Sequence, residues 1–252
     1  MAKKLTDLTI LTEIAETDIT SIVDISDTTQ AATGTTKKTT MVTSFLSTGW
    51  IPANGTWTYA SATTITVPNG AAGKYQKGDK IRLKQGGAYK YYYIITVADT
   101  LLTVTGGIDY TVANAAITDN CYSHIENPLG FPDWFNWTPT WSAGGSMTVA
   151  SVVLSFALFS IKGGLLFYKT MAVMTTGGTA HSDIYFTTVL NRKTIYTWES
   201  VGYGYAYDGA DNQTWSRWNG NDANRICVRK YNSANYALTA GVMVHSHGFY
   251  AI

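Results

Sequence analysis

Three sets of residues in this chain have types and spacing that chemistry could use. The first is acidic: Asp208, Asp211 and Asp222, with Glu199 upstream, gather in one stretch. Glycosidic hydrolysis needs two carboxylates across a cleft, about 5 Å apart for retention and about 6.5–9.5 Å for inversion. Asp208-Gly209-Ala210-Asp211-Asn212 reads more simply as turn chemistry, because Asp, Gly and Asn settle readily into tight turns. The second set, His181-Ser182-Asp183, holds the residue types of a nucleophilic triad. Adjacent residues cannot reach a triad's geometry without an unusual turn. Gly-x-Ser-x-Gly, Walker and His-Glu-x-x-His patterns do not occur. The expectation is a protein that is not an enzyme. The third set is His245-Ser246-His247. Residues two apart on a strand face the same side, so both imidazoles project together. Three copies meeting at such a face would supply six nitrogens, an octahedral set suited to a transition ion such as iron. The plainer reading leaves each histidine solvated or bonded to backbone.

Most of the acidic set sits within an aromatic segment. Tyr196, Trp198, Tyr203, Tyr205, Tyr207, Trp215 and Trp218 fall within 23 residues, with Gly202, Gly204 and Gly209 and the polar Asp208, Asp211, Asn212 and Gln213 among them. Two readings stand side by side. A loop-rich surface would stack these flat faces on a partner while the polar neighbours give direction. Alternatively, half of the rings are ordinary sandwich core.

Composition narrows the rest. Charged residues make up 14% of the chain against a norm near 25%, while Thr occurs 38 times and Gly 23 times. Thr, Val, Ile, Tyr and Trp suit a pleated surface, so the chain reads as all-β. So little charge implies surface buried by self-association. A net charge of +1 argues against nucleic-acid binding. Cys121 and Cys227 lack metal-ligand spacing and read as reduced and structural, with one long disulfide as the alternative. No apolar signal region opens the chain, and the apolar uncharged run Met147 to Ile161 is too short to span a bilayer, so no membrane insertion is expected.

Three units follow from the punctuation. Residues 1–48 carry 14 of the 38 Thr and one aromatic, Phe45; strands are expected over Asp18–Ile25 and Lys37–Val42, and the stretch has too little apolar content to fold alone. Residues 49–132 show short strands at Lys80–Lys84, Tyr89–Val97 and Leu101–Thr105 between Gly turns, the pattern of a small antiparallel β-barrel or sandwich module. The Tyr89, Tyr91, Tyr92, Tyr93 cluster reads as a two-faced strand. Asn127–Pro132 is a linker. Residues 133–252 then form a β-sandwich, with strands at Ser151–Ile161, Leu165–Met174 and Leu238–Tyr250.

Ordered along the chain, these units resemble a bacteriophage virion protein of the fibre or spike type, from either tail or head fibres. Leu5-Thr6-Asp7-Leu8-Thr9, Ile22-Val23-Asp24-Ile25-Ser26-Asp27 and Gly34-Thr35-Thr36-Lys37-Lys38-Thr39 are similar to the short leader of such proteins. Gly49-Trp50-Ile51-Pro52, Thr56-Trp57-Thr58-Tyr59, Lys77-Gly78-Asp79-Lys80 and Gly130-Phe131-Pro132-Asp133-Trp134 resemble a module recurring in them. Trp137-Thr138-Pro139-Thr140-Trp141, Thr176-Gly177-Gly178-Thr179 and Gly248-Phe249-Tyr250 look like their terminal sandwich. The resemblance implies a homotrimer located in the virion and assembled in the host cytoplasm. It implies an N-terminal extended anchor at residues 1–48 gripping capsid or tail proteins, and a C-terminal jelly-roll-like sandwich turned outward. Some such fibres hold a metal at a His-x-His pair, which adds His245 and His247 as candidate ligands of a transition-metal ion on the trimer axis; no other cofactor is expected. One departure is that the strand before Lys162-Gly163-Gly164 is unusually apolar, consistent with a larger buried interface between copies. The implied partner is host cell-surface carbohydrate. On that view Trp198, Tyr203, Tyr205, Tyr207, Trp215 and Trp218 stack on sugar rings while Asp208, Asp211 and Asn212 orient the hydroxyls. The alternatives are a non-adhesive capsid or tail decoration protein and a polysaccharide-degrading spike.

Overall fold

The computed structural model describes residues 22–24, 35–37, 48–190, 200–218 and 224–252. Every regular element of length among them is a β-strand, joined by one 3-10 turn at Ala71–Gly73. Near the N-terminus, β1 (Ile22–Asp24) and β2 (Thr35–Lys37) pair antiparallel, Ile22 opposite Lys37. The rest of the expected anchor lies outside the described residues.

The first large sheet has seven strands: β3 (Ile51–Pro52), β4 (Thr58–Ser61), β5 (Thr64–Thr66), β6 (Lys80–Gln85), β7 (Ala88–Ala98), β8 (Leu101–Thr105) and β9 (Thr118–Ser123). They lie in the order β3-β9-β6-β7-β8-β5-β4, antiparallel throughout. The expected barrel does not close. Its edges, β3 and β4, are short, and β3 ends at Pro52, which has no N–H to continue a ladder. Trp57, Ile65, Ile81, Leu83, Tyr92, Ile94 and Leu102 are buried in its core.

The second sheet has nine strands: β10 (Phe135–Asn136), β11 (Trp141–Ala143), β12 (Met147–Lys162), β13 (Leu165–Gly178), β14 (Asp183–Thr187), β15 (Ser200–Tyr207), β16 (Asp211–Trp218), β17 (Arg225–Lys230) and β18 (Val242–Ala251). Their order is β10-β12-β13-β18-β15-β16-β17-β14-β11, again antiparallel. This is one hydrogen-bonded sheet rather than two, and it curls over its own inner face. Tyr168 on β13 and Phe186 on β14 are separated by four intervening strands, yet their rings lie 5.6 Å apart. Across β13 the burial alternates without a break, with Leu166, Tyr168, Thr170, Ala172, Met174 and Thr176 inward. That is period-2 patterning read directly as one buried face.

The curl explains the glycines of β15. Gly202 and Gly204 face inward opposite Gly248 and Ser246. A Cβ on Gly204 would lie 2.0 Å from the His245 carbonyl oxygen, and one on Gly248 would lie 1.9 Å from that of Val201. With no side chains in this strip, the hydroxyls of Ser216 on β16 and Ser246 on β18 meet across β15 at 2.7 Å. The Tyr168 hydroxyl lies 3.3 Å from Ser246, and its burial pushes it up to about 12.

One strand, β7, contributes side chains to both cores. Tyr92 and Ile94 of β7 belong to the core of the seven-stranded sheet, whereas Tyr93 turns the other way into the core of the nine-stranded sheet. There it packs on Phe131, Phe135 and Phe159, with ring centroids 5.0, 5.3 and 6.4 Å away, and its hydroxyl sits 3.3 Å from that of Ser160. Asp109 locks the junction by accepting both the backbone N–H and the side-chain amide of Asn136, at 2.7 and 2.8 Å.

Candidate functional site

The described part of the aromatic segment, residues 200–218, is not a loop-rich surface. It forms a hairpin, β15–β16, turning through residues 208–210 in the middle of the nine-stranded sheet. Strand alternation then sorts its residues by parity. Tyr203, Tyr205, Tyr207 and Trp215 face outward, with Tyr203 67% and Tyr207 44% exposed. Trp218, three residues beyond Trp215, has the opposite parity. It is fully buried, its ring edge-on to Tyr250 at 4.9 Å, and cannot reach an external ligand. Trp198, Glu199 and Asp222 lie outside the described residues.

The polar members of the segment are engaged in holding the fold. The Asp208 carboxylate meets the Lys230 ammonium at 2.5 Å, with both side chains more than nine-tenths buried, and also accepts the Ala237 N–H at 2.8 Å. Asn212 donates to Asp208 and to the Ala210 carbonyl, at 3.1 and 2.8 Å. Asp211 accepts the Tyr205 hydroxyl, an interaction that raises the affinity of that hydroxyl for its proton. Asp208 and Asp211 therefore do not face one another as a free carboxylate pair.

His181-Ser182-Asp183 is likewise structural in geometry. The Ser182 hydroxyl donates to Asp183 at 3.3 Å, and His181 Nδ1 accepts the Asp183 N–H at 3.1 Å. Burial alone would push the Asp183 carboxyl up, but the Arg229 hydrogen bond at 2.6 Å and its charge outweigh burial and hold the carboxyl below its usual range. A carboxyl lowered in the folded state contributes stability above its unfolded value, about 3.9, and loses that contribution as pH falls through the folded value. Arg229→Met is accordingly expected to shift the acid-unfolding midpoint to higher pH, as followed by circular dichroism. An unchanged midpoint would discard this account of the pair.

His245 and His247 project from β18 on the outer face, with ring centroids 5.3 Å apart. The His247 ring stands edge-on to Tyr203 at 4.4 Å, and His247 Nδ1 has no hydrogen-bond partner. Burial, then the neighbouring His247, hold His245 below the usual imidazole range. Among the described residues no third His, Cys, Asp or Glu joins them in a metal-sized cluster. One chain therefore offers two imidazoles, short of a closed ligand set.

Around this pair lies a groove of about 660 Å³ whose aromatic lining includes Trp134, Phe167, Tyr203 and Phe249. Tyr203, the first of the tyrosine row, marks one bank. Phe167 and Phe249 stack across β13 and β18 at 5.6 Å, and the Lys169 ammonium lies 4.6 Å from the Trp134 ring. Trp134, Phe167, Lys169 and Phe249 are absent from the sequence-derived site. Parity could have found one of them: Phe249 follows His247 by two residues. Farther along the outer face, Val153 of β12 is exposed and Phe156 reaches His245 at 5.9 Å, while Val152, of opposite parity, is exposed as well. The unusually apolar strand is thus apolar on both faces.

Cys121 and Cys227 are both free thiols; burial pushes Cys227 up to about 12. No described helix is long and apolar enough to cross a membrane. Comparison with protein-family models, curated proteins and solved structures finds no match.

Proposed function

We propose that this chain is a non-enzymatic structural subunit of a bacteriophage particle, of fibre or spike type. On this reading residues 1–48 grip another virion protein and the outer face of the nine-stranded sheet contacts a host-surface glycan. The observation that carries it is the row Tyr203, Tyr205 and Tyr207 on an open sheet face beside an aromatic groove. Flat rings with few rotatable bonds match the apolar C–H faces of sugars, and a cleft of a few hundred Å³ is of ligand size. Of the acidic candidates for hydrolysis, Asp208 and Asp211 are already engaged by Lys230 and Tyr205.

A second reading, the decoration protein, draws on the exposed aliphatic residues of β12. Exposed apolar patches on a folded chain mark interfaces, and Val152 and Val153 are 39% and 68% exposed. Both features fit one subunit if copies meet through β12 as a homotrimer and leave the groove open. The curl of the sheet then takes the place of a second layer in a jelly-roll-like sandwich. A metal on the trimer axis would instead need the His245–His247 face closed between copies. Lys169, directly across from His247, opposes a cation there.

Purified protein added to host cells before phage tests the reading. Dose-dependent loss of adsorption is expected from a sample whose light-scattering mass is three times 27.4 kDa. Tyr203→Ala with Tyr207→Ala should remove the block without changing that mass. A folded trimer that blocks nothing leaves the decoration role in its place.

A further inference from the structure

The groove carries charge of one sign. Lys169 lies directly across from His247, and His247 directly across from Tyr203, so an ammonium, an imidazole and a phenol form one line over β13, β18 and β15. Side chains at such cross-strand positions sit about 5 Å apart and act on a shared ligand. His245 adds a second imidazole two residues along. No carboxylate occurs among the described lining residues, and Asp211 on neighbouring β16 is bonded to Tyr205. The Lys169 ammonium touches only the face of Trp134 among the described groups, a contact that leaves its N–H donors available to an anion. An aliphatic peptide would gain no hydrophobic contact at Lys169, and a metal ion would be repelled by it.

We propose that this groove binds an anionic saccharide. A sugar ring lies against Tyr203 and Phe249, and its carboxylate or phosphate substituent is held by Lys169 and His247. The inference rests on the host-glycan reading and adds the chemical class. Burial holds His245 toward its neutral form, so it adds little to the charge that Lys169 supplies, and the effect of removing Lys169 is large. Charge-assisted hydrogen bonds of this kind are roughly twice as strong as neutral ones.

The test passes the full chain over immobilised polygalacturonate, phosphomannan, neutral dextran and single-stranded DNA at moderate salt. Retention is expected on polygalacturonate, on phosphomannan or on both, the two arms separating carboxylate from phosphate as the anion. Dextran and DNA should retain little. Lys169→Gln should weaken the acidic-polymer affinity at least tenfold and Lys169→Arg should keep most of it, each with an unchanged circular dichroism spectrum. Tyr203→Ala should weaken binding as well. The proposal is overturned if Lys169→Gln binds like the parent, if DNA is held as firmly as the acidic polysaccharides, or if neither acidic polymer is retained. Equal retention on dextran overturns it too, while a continued block of phage adsorption in that case would leave the host-glycan reading standing. Loss of both retention and block would remove both.

Discussion

Lys230→Met should lower the unfolding free energy by about 3–5 kcal/mol, the cost of stranding a buried charge whose partner has gone. Asp208 is the charge left behind. Its side chain and that of Lys230 are 4% and 7% exposed, so water cannot take over the lost interaction. The ammonium also donates to the Asn235 carbonyl at 3.0 Å and lies 5.2 Å from the Tyr236 ring. One substitution therefore loosens β17, the β15–β16 turn and the segment leading to β18 together. At roughly 2–4 °C per kcal/mol for a chain of this size, the melting temperature should fall by roughly 6–20 °C. Adding Asp208→Asn to Lys230→Met should recover part of the loss, because removing both charges is less costly than removing one. A single variant melting within about 2 °C of the parent would show that the pair is solvated after all.

Gly248→Ala tests the curl. One methyl group is normally a small change, and overpacking costs about 1–3 kcal/mol when side chains can yield. Here the methyl would meet the Val201 carbonyl oxygen at 1.9 Å and the Gly202 Cα at 2.7 Å, both backbone atoms of a paired strand. Relief requires β15 and β18 to separate, with loss of ladder hydrogen bonds on both. The expected loss is roughly 3 kcal/mol or more, at the upper end for single substitutions. Gly209→Ala is the control: nothing lies within 4 Å of its would-be Cβ, although its φ of +99° carries a backbone penalty of its own. Urea melts of the two variants should differ, with Gly248→Ala the weaker. Equal midpoints would mean that the sheet relaxes without effort and that the glycines have another purpose.

Much of this architecture was legible. Alternation and Gly turns placed Lys80–Lys84, Tyr89–Val97 and Leu101–Thr105 within one residue or so of β6, β7 and β8, and Leu165–Met174 inside β13. The tyrosine cluster was readable as a two-faced strand because Tyr92 and Tyr93 have opposite parity. What failed was the weight given to glycine. Gly202 and Gly204 suggested loops, whereas they are inward positions of a strand that curls too tightly for a Cβ, a constraint set by β18 more than 40 residues away. Local composition cannot carry such information. The open edge of the seven-stranded sheet was hidden for the same reason, since closure depends on whether distant strands meet. Within the site, parity alone separates Trp215 from Trp218, but only register joins Tyr203 to His247 and Lys169. Asp208 looked like a ligand-orienting acid because its partner, Lys230, arrives from 22 residues downstream.

The strand whose side chains enter both cores has a mechanical consequence. Tension entering through the N-terminal half need not pass along residues 124–134 as through a tether. It passes sideways through β7, where Tyr93 is wedged among Phe131, Phe135 and Phe159 and the Asp109–Asn136 clasp lies close by in sequence. Such a joint couples the two sheets through interlocked rings rather than through a shared ladder of hydrogen bonds. A force felt at the outer face of the nine-stranded sheet would reach the seven-stranded sheet with little slack.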